Sequence, residues 1–250
     1  MNLARHQPWA NAFSTEALCM RILERHRDCV RVQNTHLAVA NLARIINATL
    51  KLSNKQGFHA TTLRELANAS GLSMGGLYTY IDSKRMLLSM ILGEVAAAAT
   101  EVLTAPPDHV RNTPRAHLDW IIETHIRLTE AMQPWFVFAF MEAKSFPATE
   151  RQLAVEMEAT TERIIADAIR QGIASQAFAP REVALTASLI KPMLQDWYVK
   201  RAKHRKRGTS IDDYIQAVRI FVGAALSNVT RTEARPALGG RPRQRQIANE

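Results

Sequence analysis

A chain of 250 residues and 28.0 kDa with 47% hydrophobic residues is longer than one typical domain and can bury a sizeable core. It has no secretory leader pattern, its two cysteines, Cys19 and Cys29, make no disulfide framework, and no apolar run comes near the ~20 residues of a membrane helix, Trp135 to Met141 being the longest candidate. The net charge of +9 is segregated, with +4 over residues 34–85, −5 over 86–199 and +6 over 200–207, so one end of the molecule attracts phosphate while the other is kept away from it.

These features make the cytoplasm the expected compartment and give no membrane partner. The thiols are expected to be idle or buried, a redox switch being the alternative. The chain opens on an extension, residues 1–33, with Trp9 and a predicted helix from Ser14 through Val30 that carries Leu18, Ile22, Arg21, Arg25, Arg27 and Arg31. It reads either as an arm laying arginines along a DNA backbone or minor groove, or as an extra helix packed on the first domain or a disordered leader. A helix follows from about Thr35 to Gln56, with Leu42, Ile45, Ile46, Thr49 and Leu52 inward and Gly57 as its stop.

The stretch Thr61 to Leu88 carries the clearest chemistry. Thr62 and Glu65 stand in the capping-box relation, so a helix begins there with Leu63, Leu66 and Ala67 on its apolar face. Gly71 supplies the positive φ of a tight turn, Leu72 drops into the core and Ser73 caps a second helix. On that helix Leu77 and Ile81 face inward, which leaves Met74, Gly75, Gly76, Tyr78 and Thr79 outward. Small outward residues suit a helix pressed into a major groove. Ser83 is another N-cap, and the helix behind it runs through Leu87, Ile91 and Val95 to about Leu103.

From about Arg44 to Leu88, in the order RIINATLKLSNKQGF, TTLRELANASGLS and GGLYTYIDSKRMLL, the sequence resembles the TetR-like regulators. Gly57-Phe58, Leu77-Tyr78-x-Tyr80 and Ser83-Lys84 keep that family's spacing. The resemblance implies an all-α protein with an N-terminal three-helix, helix-turn-helix DNA-binding domain at 34–83. A helical ligand-binding and dimerisation domain follows at 84–230, then a disordered basic tail at 231–250. Arg64 is the candidate for bidentate contact to guanine, with Met74, Gly75, Gly76 and Thr79 near base edges, while Ser73, Tyr78, Tyr80 and Lys84 would hold phosphates.

Three prolines make Thr104 to Pro114 a loop, after which a helix to about Met132 turns Leu118, Ile121, Ile122, His125 and Leu128 inward. Trp120, Trp135, Phe136, Phe138, Phe140 and Phe146 then fall within 27 positions of a chain that is 6% aromatic. The resemblance places an effector cavity here, with Trp120, Thr124, His125, Leu128, Trp135, Phe138 and Met141 as its expected lining; the alternative is a filled core. His109, His117 and His125 recur every eight residues, which rotates successive side chains by about 80° and completes no ligand set, so no metal and no cofactor are expected. No nucleophile elbow, phosphate loop or paired-carboxylate arrangement points to an enzyme.

A charged helix is predicted from about Thr149 to Gln171, stopped by Gly172, with Leu153, Met157, Thr160, Ile164 and Ala168 on one face. Pro180 would open the next, bent at Pro192. Its stripe of Ile190, Leu194 and Trp197, with Tyr214, Val218, Phe221, Val222 and Ala225 on a last helix from Asp212 to Val229, is the expected homodimer interface; the alternative is packing within one chain. Between them KRAKHRKRG reads as a solvated helix end or as a phosphate holder outside the cavity mouth. The function implied is a dimeric repressor, released from a palindromic double-stranded DNA operator when a small apolar effector moves the helix behind Ser83. An acyl-CoA or lipid-responsive regulator of lipid metabolism and a constitutive DNA-binding protein without effector are the alternatives.

Overall fold

In the computed structural model, residues 12–179 and 181–227 are described; expectations placed on Trp9, Pro180 and the tail from Arg231 lie outside them. The extension contributes α1, Thr15–Arg25, whose Ser14 cap accepts from the amide of Ala17. It buries Leu18, Cys19, Ile22 and Leu23 against α2, Thr35–Gln56, and α5, Lys84–Leu103. This is the packed-helix alternative, and two of its arginines pair with carboxylates of α5. Arg21 lies 2.8 Å from Glu94 and 2.6 Å from Glu101, and Arg25 also pairs with Glu94, a carboxylate with no exposed side-chain surface. Burial, and then the charge of Glu16, push the Cys19 thiol up to about 12, so a thiolate is suppressed there.

Between α2 and α5 lie α3, Leu63–Ser70, and α4, Met74–Leu77. The expected stop at Gly57 holds, with φ 85°. By length and composition α5 could cross a membrane, contrary to the expectation that no segment comes near. Ten of its residues, Glu94 among them, are buried inside the bundle, which is where a core helix acquires that composition.

The proline loop contains a single turn, α6, Asp108–Arg111, before α7, Pro114–Ala131, and α8, Gln133–Met141. A 3-10 turn, Ala143–Ser145, leads to α9, Ala148–Ala174; α10, Val183–Val199, α11, Arg201–Lys206, and α12, Ile211–Leu226, complete the described chain. Two apolar cores result. One joins α1, α2, α3 and α5 to Phe58, Trp135 and Phe138; the other joins α7, α9, α10 and α12 around Ile122, Ile169, Leu194, Trp197 and Val222.

Gly172 does not stop α9. The chain folds back after the helix so that Phe178 donates its amide to the Gly172 carbonyl at 3.0 Å and lays its ring on the place a Cβ would occupy. The glycine is there for close packing and not for termination. The inward stripe of α9 is also shifted from the expected one: Ala154, Thr161, Ile165, Ala168 and Ile169 are buried, whereas Leu153 is exposed. Gly172→Ala is expected to destabilise the fold by ~1–3 kcal/mol through overpacking against Phe178; an unchanged denaturant midpoint would contradict this packing.

Candidate nucleic-acid interface and effector cavity

The reading head is built from two caps and one left-handed residue. Thr62 accepts the Glu65 amide at 3.2 Å while Glu65 accepts the Thr62 amide at 2.7 Å, and that backbone bond, followed by the Gln56 side chain, lowers the Glu65 pKa. Gly71, at φ 67°, turns the chain, and the Leu72 amide returns to the Ala67 carbonyl at 2.9 Å. Behind the turn Arg44 donates to the Gly71 carbonyl at 3.1 Å and to Asn41 at 3.0 Å, and Asn41 donates to the Tyr80 hydroxyl at 2.9 Å. A Cβ at Gly71 would collide with the Arg44 guanidinium.

On the outer side Arg64 is exposed and makes no hydrogen bond or ion pair among the described residues. Ser73 caps α4 by accepting the Gly76 amide at 3.0 Å. The helix lasts one turn, shorter than expected, because two consecutive glycines propagate a helix poorly; tighter bonds, Thr79 amide to Gly76 and Tyr80 amide to Leu77, continue it. Leu77 and Ile81 are fully buried, in agreement with the sequence. At Gly75 a Cβ would meet nothing nearer than Ser73 Oγ at 4.0 Å, so nothing inside the protein requires a glycine. Tyr78 is exposed, Met74 packs half-buried on the core, and the Thr79 hydroxyl donates to the Gly76 carbonyl at 2.7 Å.

Two phosphate candidates are corrected. Tyr80 is 3% exposed, its hydroxyl engaged by Asn41. Lys84 donates to the carbonyls of His59 at 2.8 Å and Thr61 at 2.7 Å and lies 4.7 Å above the Phe58 ring. Burial lowers its pKa, against the pull of Glu65. Its ammonium joins α5 to the loop before α3.

Phe58 joins the head to the rest. Its ring meets Phe138 edge-on at 5.4 Å and Phe146 at 6.4 Å, and its amide donates to Glu142 at 2.7 Å.

On the far side of α8 a cavity of about 390 Å³ lies against α9 and α10, walled by Phe136, Phe140, Met141 and Met157, with Lys191 and Tyr198 also facing it. Of the expected lining, Met141 faces this space. Phe138 turns to Phe58 and, with Met141, borders a second hollow of about 340 Å³ against α2. Leu128 and Trp135 belong to the first core, Trp120 packs on the second, and Thr124 and His125 are buried. In a helix reading QPWFVFAFM every side is apolar, so periodicity could not say which side meets the cavity. Lys191 was missed; its signal was a lone charge in the apolar run from Val183 to Leu194.

The dimer stripe is corrected as well. Ile190, Leu194, Trp197, Val218 and Val222 fill the chain's own second core, and Tyr214 is half-buried, donating to the Met193 carbonyl at 2.6 Å. Phe221 and Ala225 are exposed, as are Ile220 on the same helix and Leu185 and Leu189 of α10. In the basic run Lys200 and Lys203 pair with Asp196, and Arg201 with Glu130. Burial alone would raise the Asp196 pKa, but donors from Lys200, Lys203 and His204 hold it well below the usual range. No residue of the run lines the cavity.

Residues 45–91 match the family model described as bacterial regulatory proteins, tetR family, and residues 111–200 match the tetracyclin repressor-like C-terminal domain. The chain belongs to the TetR family. It is similar to the TetR-family fold of PfmR from Thermus thermophilus, at 25% identity and a TM-score of 0.57, covering 73% of this chain and 97% of that one. The HTH-type transcriptional regulator HbdR of Aromatoleum sp. (strain CIB) is 27% identical over 163 residues, 62% of this chain and 68% of that protein. The HTH-type transcriptional repressor KstR of Mycobacterium tuberculosis (strain ATCC 25618 / H37Rv) is 32% identical over 108 residues, 41% of this chain and 49% of that protein. The match thus spans about half the length of KstR. As a TetR-family member the chain is a DNA-binding transcriptional regulator.

Lys84→Ala is expected to lower the melting temperature without DNA present, since it frees two carbonyls and one ring face; a change confined to DNA affinity would restore the phosphate role. Burial pushes Lys191 down to about 8, against Glu158 and Glu162. Between about pH 8 and the ordinary lysine value of 10.5 the unfolded chain holds a proton that the folded chain has lost, so stability rises with pH across that window. Lys191→Met should therefore stabilise the fold by about 3 kcal/mol at neutral pH, and denaturant unfolding should show the gain vanishing above about pH 10.5.

Proposed function

We propose that the chain is a homodimeric repressor that occupies a palindromic operator and leaves it when a largely apolar small molecule enters the cavity beside α8. Residues 34–83 form the reading head and 84–230 the effector and dimer body, working in the cytoplasm. The observation that carries this is Gly75, an exposed glycine whose missing Cβ would meet nothing nearer than 4.0 Å; with the exposed Arg64, which has no partner among the described residues, it suits a surface that another molecule must approach closely. Arg64 takes a guanine edge, Gly75, Gly76, Thr79 and Met74 lie along the groove floor, and Ser73 and Tyr78 meet phosphates.

The exposed apolar side chains Leu185 and Leu189 of α10 and Ile220 and Phe221 of α12 support a seam between two copies. That seam sets the two heads about 34 Å apart, the spacing of successive major grooves. Coupling runs through α8, whose one side meets the cavity and whose other side meets Phe58 through Phe138 and Glu142. A ligand that moves α8 moves the head with it.

The test is anisotropy titration of operator and random fragments, with operators first selected from genomic DNA by the purified protein. Arg64→Ala is expected to lose ~1–3 kcal/mol on the operator and to relax preference at one base pair. Phe221→Glu should give a monomer by light scattering and lose palindrome binding, because a charge buried at the seam costs several kcal/mol. Equal losses on both DNAs for Arg64→Ala, or an unchanged dimer for Phe221→Glu, would sink the corresponding assignment.

A further inference from the structure

The wall of the α8 cavity is mostly apolar; its polar groups are Lys144 of the 3-10 turn, Glu158 and Thr161 of α9, and, where α10 crosses it, Lys191, Gln195 and Tyr198. Lys191, 5% exposed, faces the space. Among the described residues its ammonium has one hydrogen-bond partner, His125 Nε2 at 3.3 Å, and no carboxylate within ion-pair distance. An ammonium has three N–H donors, so two remain unused.

Behind it His125 is 1% exposed, and its Nδ1 has no partner among the described residues. Burial first, and the neighbouring Lys191 second, hold the imidazole neutral. With Nε2 accepting from the lysine, Nδ1 carries the ring proton. The histidine therefore orients the ammonium without cancelling its charge. A buried cation is costly unless an anion meets it.

Glu158 also lines the cavity, but it already accepts the Gln195 side-chain amide, and its effect on Lys191 is through space. Glu162 acts on the lysine in the same way from the half-exposed side of α9. A cationic ligand seated on Glu158 among Phe136, Phe140 and Tyr198 would share the cavity with the buried ammonium and be repelled by it. An anionic head has the opposite balance, since the two unused donors are stronger partners than a carboxylate already hydrogen-bonded.

We propose that the effector is an amphiphile whose carboxylate takes the two free N–H donors of Lys191 while its apolar part lies against Phe136, Phe140, Met141 and Met157. This rests on the reading of the cavity as the effector site. It gives the largely apolar effector expected from the sequence an acidic head, and it makes Lys191 the specificity-determining residue.

Calorimetric titration of the full chain with decanoate, decan-1-ol and decyltrimethylammonium separates the cases, because the three share one apolar part. Decanoate is expected to bind at least roughly tenfold tighter than the alcohol. Lys191→Met, which keeps an unbranched side chain one atom shorter and removes the charge, should bring decanoate down to the level of the alcohol and leave the alcohol within about threefold. Tightest binding of the ammonium, or decanoate binding unaffected by Lys191→Met, overturns the carboxylate assignment and leaves the cavity in place. Failure of all three to bind, or binding unaffected by Met157→Trp, which fills the space, overturns the cavity itself and this assignment with it.

Discussion

One aromatic side chain, Phe58, sits where the DNA-reading segment meets α8. Gly57 takes a positive φ that few other residues adopt, and this turns Phe58 inward between Phe138 and Phe146. The Phe58 amide is held by Glu142 and the face of its ring by Lys84. A dipeptide at the end of one helix thus makes apolar, hydrogen-bonded and cationic contacts with three different parts of the chain. Because packed aromatic contacts are not continuously deformable, the proposed displacement of α8 would reach the head as a change of seating and not as a gradual drift.

The two sides of α8 have different duties. Phe138 and Glu142 face the head, whereas Phe136, Phe140 and Met141 face the cavity. No long wire of side chains is needed between the sites, since they share one nine-residue helix. The proposed coupling requires that helix to have two seatings whose balance both the ligand and the DNA bias.

Cap chemistry is local, and it was legible. The Thr62–Glu65 box, the Gly71 turn and the Ser73 and Ser83 caps follow from residues within four positions of each other, and all four are present. What the sequence could not supply were partners from elsewhere in the chain. Tyr80 and Lys84 sit at family positions, but Asn41, His59 and Thr61 decide where their polar ends go. The stripes of α10 and α12 failed for another reason. Both helices are apolar on two sides, one for the chain's own core and one left exposed, and periodicity counts both. Gly172 was misjudged because a glycine that admits a neighbouring ring looks, in sequence, like one that ends a helix.

The extension, finally, ties parts that lie beyond it. Arg21 and Arg25 hold the buried Glu94 of α5, and the Arg31 amide donates to the Thr79 carbonyl at the end of the reading turn. Part of the bracing behind the head is therefore ionic, and the Arg21–Glu101 arm of it reaches solvent. Ionic strength acts on such a protein twice. Added salt competes for the phosphates outside and also screens the exposed arm of the brace inside. The slope of affinity against salt would then count more charges than touch DNA, and the footprint inferred from it would be too large.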